Sequence, residues 1–131
     1  MENKLTLITP PDYYENGNPS LMFISMSDEQ QTTVSNWLKD NDYETDLNLY
    51  TYQGEQNIEW LLYALARSDY KFINLDSADP ITNIMATYIL SRPNVFYATV
   101  NNDVKALVNY LNNNCVDNIE AFLERVISGK Q

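Results

Sequence analysis

Hydrophobic residues along the chain form short blocks, five of which have the composition of β-strands. The block at 21–24, Leu-Met-Phe-Ile, is continuously apolar, as a strand buried on both faces is. The block at 47–52 alternates with a period of two, which indicates a half-exposed or edge strand. Further β-rich runs at 4–8, 70–75 and 95–100 complete five predicted strands.

Between the later strands the apolar residues recur at intervals of three and four, which predicts helices. Ser27 and Gln30 have the spacing of a capping box, and so do Asp117 and Glu120 at the start of the last helix. Asp79 followed by Pro80 is a typical helix start. Residues 56–67 are apolar nearly all round, which predicts a deeply buried helix.

The predicted order is β-β-α-β-α-β-α-β-α-α, in a chain of 131 residues that fits one domain over 1–131. Strand–helix alternation of this kind favours an α/β fold. We expect a three-layer sandwich of flavodoxin or Rossmann type, with a mainly parallel five-stranded sheet and helices on both faces. The first connection contains no helix, so the placement of the first strand stays open.

The amino-acid composition argues against several kinds of binding and catalytic site. Eighteen acidic and eight basic residues give a net charge of −10, which argues against direct nucleic-acid binding through phosphate contacts. The chain has no His and a single Cys, so imidazole catalysis, an internal disulfide and a Cys-based zinc site are excluded. The three glycines, at positions 17, 54 and 129, are too far apart to form a GxGxxG or Walker loop. We expect no cofactor and no metal.

The N-terminus has no secretory-signal pattern, and the apolar runs are too short to span a bilayer. Together with the lone thiol, this favours a cytoplasmic protein without a membrane segment, in the host cytoplasm if the source is viral.

One strand end carries candidate chemistry. Asp76, Ser77 and Asp79 follow a predicted strand, where ligands of parallel sheets collect. One interpretation is a nucleoside or nucleotide hydrolase or transferase that uses these three side chains to contact a ribose hydroxyl or Mg²⁺. The other is structural: Asp79 caps its helix and Asp76 ends the strand.

The segment 70–97 resembles part of the nucleoside 2-deoxyribosyltransferase-like family, in which a strand ends in an Asp-containing turn and the next helix carries a nucleophilic Glu. The turn at 91–95, Ser-Arg-Pro-Asn-Val, is similar to the turn that follows that helix. The resemblance implies an α/β fold. The position of the nucleophile falls at about Asn83, and an amide cannot serve as a carboxylate nucleophile.

Charge is unevenly distributed. Residues 12–59 contain ten acidic side chains and one basic one. The densest cluster, placed in a loop, consists of Asp40, Asp42, Tyr43, Glu44 and Asp46. Such a patch attracts a basic partner, and tyrosines are enriched at interface centres. The alternative is a solvated surface that keeps the protein soluble.

We therefore expect a non-catalytic protein-interaction module that binds a protein partner with a basic surface. The small, acidic, Asn- and Tyr-rich chain resembles accessory proteins of tailed phages in style, without a shared motif. A structural subunit of a larger assembly is a further alternative. The apolar stripe of the final helix serves either a homodimer contact or closure of one sheet face, and both stay open.

Overall fold

The computed structural model describes residues 5–8, 19–40, 47–54, 57–89, 92–111 and 115–127. The elements are β1 (Leu5–Ile8), β2 (Ser20–Ile24), α1 (Asp28–Asp40), β3 (Leu47–Tyr52), α2 (Ile58–Arg67), β4 (Tyr70–Asn74), α3 (Pro80–Tyr88), β5 (Val95–Ala98), α4 (Asn102–Leu111) and α5 (Ile119–Ile127). This alternation confirms the predicted α/β class, with a parallel sheet flanked by helices.

The strands lie in the order β1-β3-β2-β4-β5, and every described pairing is parallel. Four strands, β2 to β5, form the part of the sheet whose side chains are described. β1 is placed by its backbone, which pairs with β3 in the register Leu5 to Leu47. The first strand therefore lies at the edge beside β3.

The expectation that residues 47–52 form a half-exposed or edge strand is wrong. β3 lies between β1 and β2, and almost all of it is buried, including Asn48. The sequence of β3 has a period of two because Asn48, Tyr50 and Tyr52 occupy alternate positions. The two tyrosines, however, face a helix rather than water. A tyrosine has enough apolar surface to occupy a core position.

Two hydrophobic clusters cover opposite faces of the sheet, since neighbouring residues of β2 divide between them. Phe23 packs with α1 and α5 around Phe122, whose ring centroid lies 5.7 Å from that of Phe23. Met22 and Ile24 pack on the other face with α2, α3 and α4. The stripe of α5 is buried at Ile119, Phe122 and Leu123, which is the arrangement expected for closure of a sheet face.

The sheet reverses its order beside β2. The chain runs from β2 to β3 on one side, whereas β4 pairs with β2 on the other side. In open parallel sheets the crevice outside the carboxyl ends of two such strands is where ligands bind. The ends of β2 and β4 therefore locate the candidate site.

Candidate functional site

Three strand ends are tied together at the carboxyl edge. Ser25, directly after β2, has a φ of 57°, an unusual value for a residue other than glycine. Its backbone N–H donates to Tyr52 O at 2.7 Å, and its carbonyl accepts from Asn74 Nδ2 at 3.0 Å. The positive φ thus accompanies hydrogen bonds of the Ser25 backbone that join β2 to both of its neighbours.

Asp79 lies at the start of α3 and is its N-cap. This is the role that the structural interpretation of the sequence predicted. Its Oδ2 accepts from Thr82 N at 3.0 Å and from Thr82 Oγ1 at 2.7 Å. Thr82 is fully buried, and its Oγ1 lies 2.5 Å from Ser25 Oγ. Since the threonine has one hydroxyl proton and gives it to the carboxylate, Ser25 must donate to Thr82.

A serine with positive φ between a strand and a helix is also the setting of nucleophiles in α/β hydrolases. That chemistry needs backbone N–H groups to stabilise an oxyanion. Here Met26 N donates to Gln53 Oε1 at 3.1 Å and Ser27 N donates to Gln30 Oε1 at 2.9 Å. The two amides that follow Ser25 are occupied, so the geometry supports a structural role.

Asp76 joins the loops after β4 and β5. Its Oδ1 accepts from Thr99 Oγ1 at 2.6 Å, and its Oδ2 accepts from Val100 N at 2.9 Å. Ser77 Oγ accepts from Asp79 N at 3.1 Å, which closes the turn between the two acids. The three predicted residues therefore share one loop, but each carboxylate bonds a different element.

Beside Asp76 an open cleft of about 330 Å³ lies between the carboxyl ends of β4 and β5 and the first turns of α1 and α5. Four of the lining residues are acidic: Glu29, Asp76, Asp117 and Glu120. No Lys or Arg is among the lining residues from the described part of the chain. We call this the acidic cleft.

Local helix signals explain part of this arrangement. Ser27 and Gln30 form the predicted capping box, with Gln30 N donating to Ser27 Oγ at 3.1 Å. At α5 the predicted cap is wrong, because Asn118 Oδ1 accepts from Ala121 N at 2.8 Å in place of Asp117. Asp117 lies one residue earlier and lines the cleft instead.

Glu29, Asp117 and Glu120 are site residues that sequence reasoning missed. Their helix-start positions were readable, but each alone indicates only a favourable interaction with the helix dipole. Nothing local shows that the starts of α1 and α5, some ninety residues apart, meet at one edge of the sheet.

The predicted partner-binding cluster at 40–46 lies almost wholly outside the described residues. Asp40 is the exposed last residue of α1 and does not line the acidic cleft. Asp42, Tyr43, Glu44 and Asp46 are not described.

Among the residues that the structure describes, no three His, Cys, Asp or Glu side chains are placed to hold a metal ion. No helix in the same residues has the length and apolarity needed to cross a membrane. Comparison with known proteins finds no family model and no curated protein that matches the chain.

Proposed function

We propose that the protein is a non-catalytic interaction module that binds a positively charged protein partner at the acidic cleft. The observation that carries this proposal is the convergence of four carboxylates, from α1, α5 and the loops around them, on one cavity that no Lys or Arg of the described residues lines. The partner group would be a lysine or arginine side chain, or a short run of them.

The sign of the charge decides which ligand class fits. Each helix N-terminus contributes about +0.5 of an elementary charge. Two helix starts therefore offset about one of the four carboxylates, and a net charge of roughly −3 remains at the cleft. A phosphate would be repelled, whereas a guanidinium or ammonium group would be attracted and would donate hydrogen bonds to the carboxylates.

The capacity of the cleft agrees with a side chain rather than a large ligand. A volume of about 330 Å³ is at the lower end of the range for small-molecule pockets. An open, charged cleft of this kind steers an oppositely charged partner and adds more to the rate of association than to affinity. We therefore infer binding that weakens strongly with salt.

We further infer that the domain is a three-layer sandwich with flavodoxin-like topology. The two hydrophobic clusters on opposite sheet faces support three layers. If β2 is counted as the first strand, the order β3-β2-β4-β5 becomes 2-1-3-4, which is the flavodoxin-like pattern. β1 is then an addition beyond the usual edge.

The test uses a fluorescent hexa-arginine peptide, with anisotropy as the readout. In the variant Glu29→Gln/Glu120→Gln the cleft loses two of its four charges. At about 0.2–1 kcal/mol for each exposed charge pair, we expect affinity to fall by about fivefold. The control Glu59→Gln/Asp103→Asn removes two exposed first-turn acids from α2 and α4 and changes the net charge by the same amount. It should weaken binding by less than twofold.

Amide chemical shifts locate the site independently. Binding at the cleft should perturb Val100, Asn118 and their neighbours, and the perturbation should disappear as salt is raised. A hexa-glutamate peptide should produce no change. Equal weakening in both variants, or shifts confined to another surface, would refute the proposal.

A further inference from the structure

Exposed apolar side chains are concentrated on one side of the molecule. Among the described residues, seven of the eight large apolar side chains that are exposed belong to α2, α3 and α4. They are Ile58, Leu62, Ile84, Tyr88, Leu107, Tyr110 and Leu111, with exposed fractions between 45% and 88%. None belongs to α1 or α5. We call this surface the α2–α4 face.

These side chains form a second stripe on helices that already bury a first one. In α2, Trp60 and Leu61 pack on the sheet while Leu62 is half exposed, so the expectation of a helix buried all round is wrong. In α3, Ala86 is buried, whereas Ile84 and Tyr88, four residues apart, lie together on the outside. Patches of this size on a protein surface mark interaction sites.

The helices of the α2–α4 face also carry no net charge. Glu59 is balanced by Arg67 in α2, Asp103 is balanced by Lys105 in α4, and α3 has no charged residue. On the opposite side α1 and α5 contain five acidic and two basic residues, a net charge of −3.

We propose that the α2–α4 face is the contact between two copies of this chain in a symmetric dimer. Two chains with a net charge of −10 repel each other unless they meet through a surface of low net charge, and the three helices of this face carry no net charge. In a two-fold contact each copy presents the same apolar stripes to the other, which an isologous interface requires.

The available area is sufficient for such a contact. If a large side chain offers about 200 Å², the seven residues at their observed exposures present on the order of 800 Å². A stable interface buries about 800 Å² on each partner. In addition, the Arg92 guanidinium lies 4.8 Å from the Tyr88 ring centroid, which restricts the ring and lowers the entropy lost on contact.

Sedimentation equilibrium of the full chain tests the proposal. We expect a reversible monomer–dimer equilibrium whose affinity increases with salt, because salt screens the repulsion between the acidic copies. The variant Ile84→Lys/Tyr88→Lys should weaken the dimer by about a hundredfold, as central apolar contacts do when they are lost. The control Thr32→Lys/Asn36→Lys adds the same charge to exposed positions of α1 and should leave the dimer intact or slightly stronger.

A second variant, Leu107→Lys/Tyr110→Lys, tests the same face on α4, so that a folding defect in one helix does not decide the result. A wild-type chain that stays monomeric at every concentration and salt level would overturn the proposal. A dimer that persists in both double-lysine variants would also overturn it. So would the finding that the α2–α4 face binds a different protein and not a second copy of the chain. The proposal is independent of the acidic cleft, whose binding should respond to salt in the opposite direction.

Discussion

The bond pattern of Asp76 predicts that this residue stabilises the fold rather than holding a nucleotide or Mg²⁺. Its carboxylate accepts from the Thr99 hydroxyl and from Val100 N, and so connects the loops that follow β4 and β5. Substitution with alanine removes both acceptors. Substitution with asparagine keeps the shape, but the neutral amide has one acceptor oxygen in place of two and lacks the charge that strengthens both bonds.

The magnitude follows from the charge and exposure of these bonds. A hydrogen bond to a charged group contributes about 1.5–3 kcal/mol when it is shielded. The cleft is open and Val100 is exposed, so about 1 kcal/mol for each bond is the appropriate value. Asp76→Ala should then lower the free energy of unfolding by about 2 kcal/mol, and Asp76→Asn by about 1 kcal/mol.

Urea denaturation measures the effect. With a slope of about 1–3 kcal/mol per molar urea, a loss of about 2 kcal/mol lowers the midpoint by roughly 1 M without changing the slope. Asp103→Ala is the control. Asp103, like Asp76, is an exposed acidic residue, but it lies in the first turn of α4. In a double-mutant cycle with Thr99→Val, the coupling energy between the two side chains should be about 1 kcal/mol.

Two results would refute this reasoning. One is an Asp76→Ala variant as stable as Asp103→Ala, since the two bonds would then contribute nothing. The other is a wild-type chain whose melting temperature rises with nucleotides or Mg²⁺ while that of Asp76→Ala does not. That outcome would make the Asp76 carboxylate a ligand group and favour the nucleoside-directed alternative.

Two further predictions concern α3 and β5. Asp79→Ala should cost about 1–2 kcal/mol, because α3 loses its cap and the buried Thr82 hydroxyl loses its acceptor; thermal unfolding measures this, and Asp79→Asn should restore part of it. Burial raises the pKa of the Tyr97 phenol, whose hydroxyl donates to Ala86 O. The neutral phenol is thus favoured in the native state. Its contribution to the free energy of unfolding is complete below about pH 10. It is lost at higher pH, because the phenol ionises at lower pH in the unfolded chain than in the native state. Urea midpoints between pH 8 and 11 should fall less steeply for Tyr97→Phe than for the wild type, and the exposed control Tyr110→Phe should follow the wild type.

Features with a local cause were predictable from the sequence. The capping box at Ser27 and Gln30 and the Asp79 cap are formed by residues three apart, so their spacing is visible in the chain. The same logic could not separate Asp117 from Asn118, because either side chain can accept from an amide three residues on. The structure selects Asn118, which leaves Asp117 to face the cleft.

Features that depend on strand order could not be predicted. The interior position of β3 follows from its pairing with β1 and β2, and the alternating pattern of Asn48, Tyr50 and Tyr52 concealed it. The acidic cleft likewise depends on the long-range approach of α1 and α5. The densest acidic run, at 40–46, indicates nothing about either helix start.

The distribution of charge over the two faces follows from the order in which the strands are connected. The step from β2 to β3 runs in one direction along the sheet, whereas the steps from β3 to β4 and from β4 to β5 run in the other. Right-handed crossovers therefore place α1 on one face and α2 and α3 on the opposite face. Since α1 lies in the acidic half of the sequence and α3 has no charged residue, the connectivity separates an acidic surface from a neutral apolar one. A different strand order with the same helices would mix them and remove the basis for both proposed contacts.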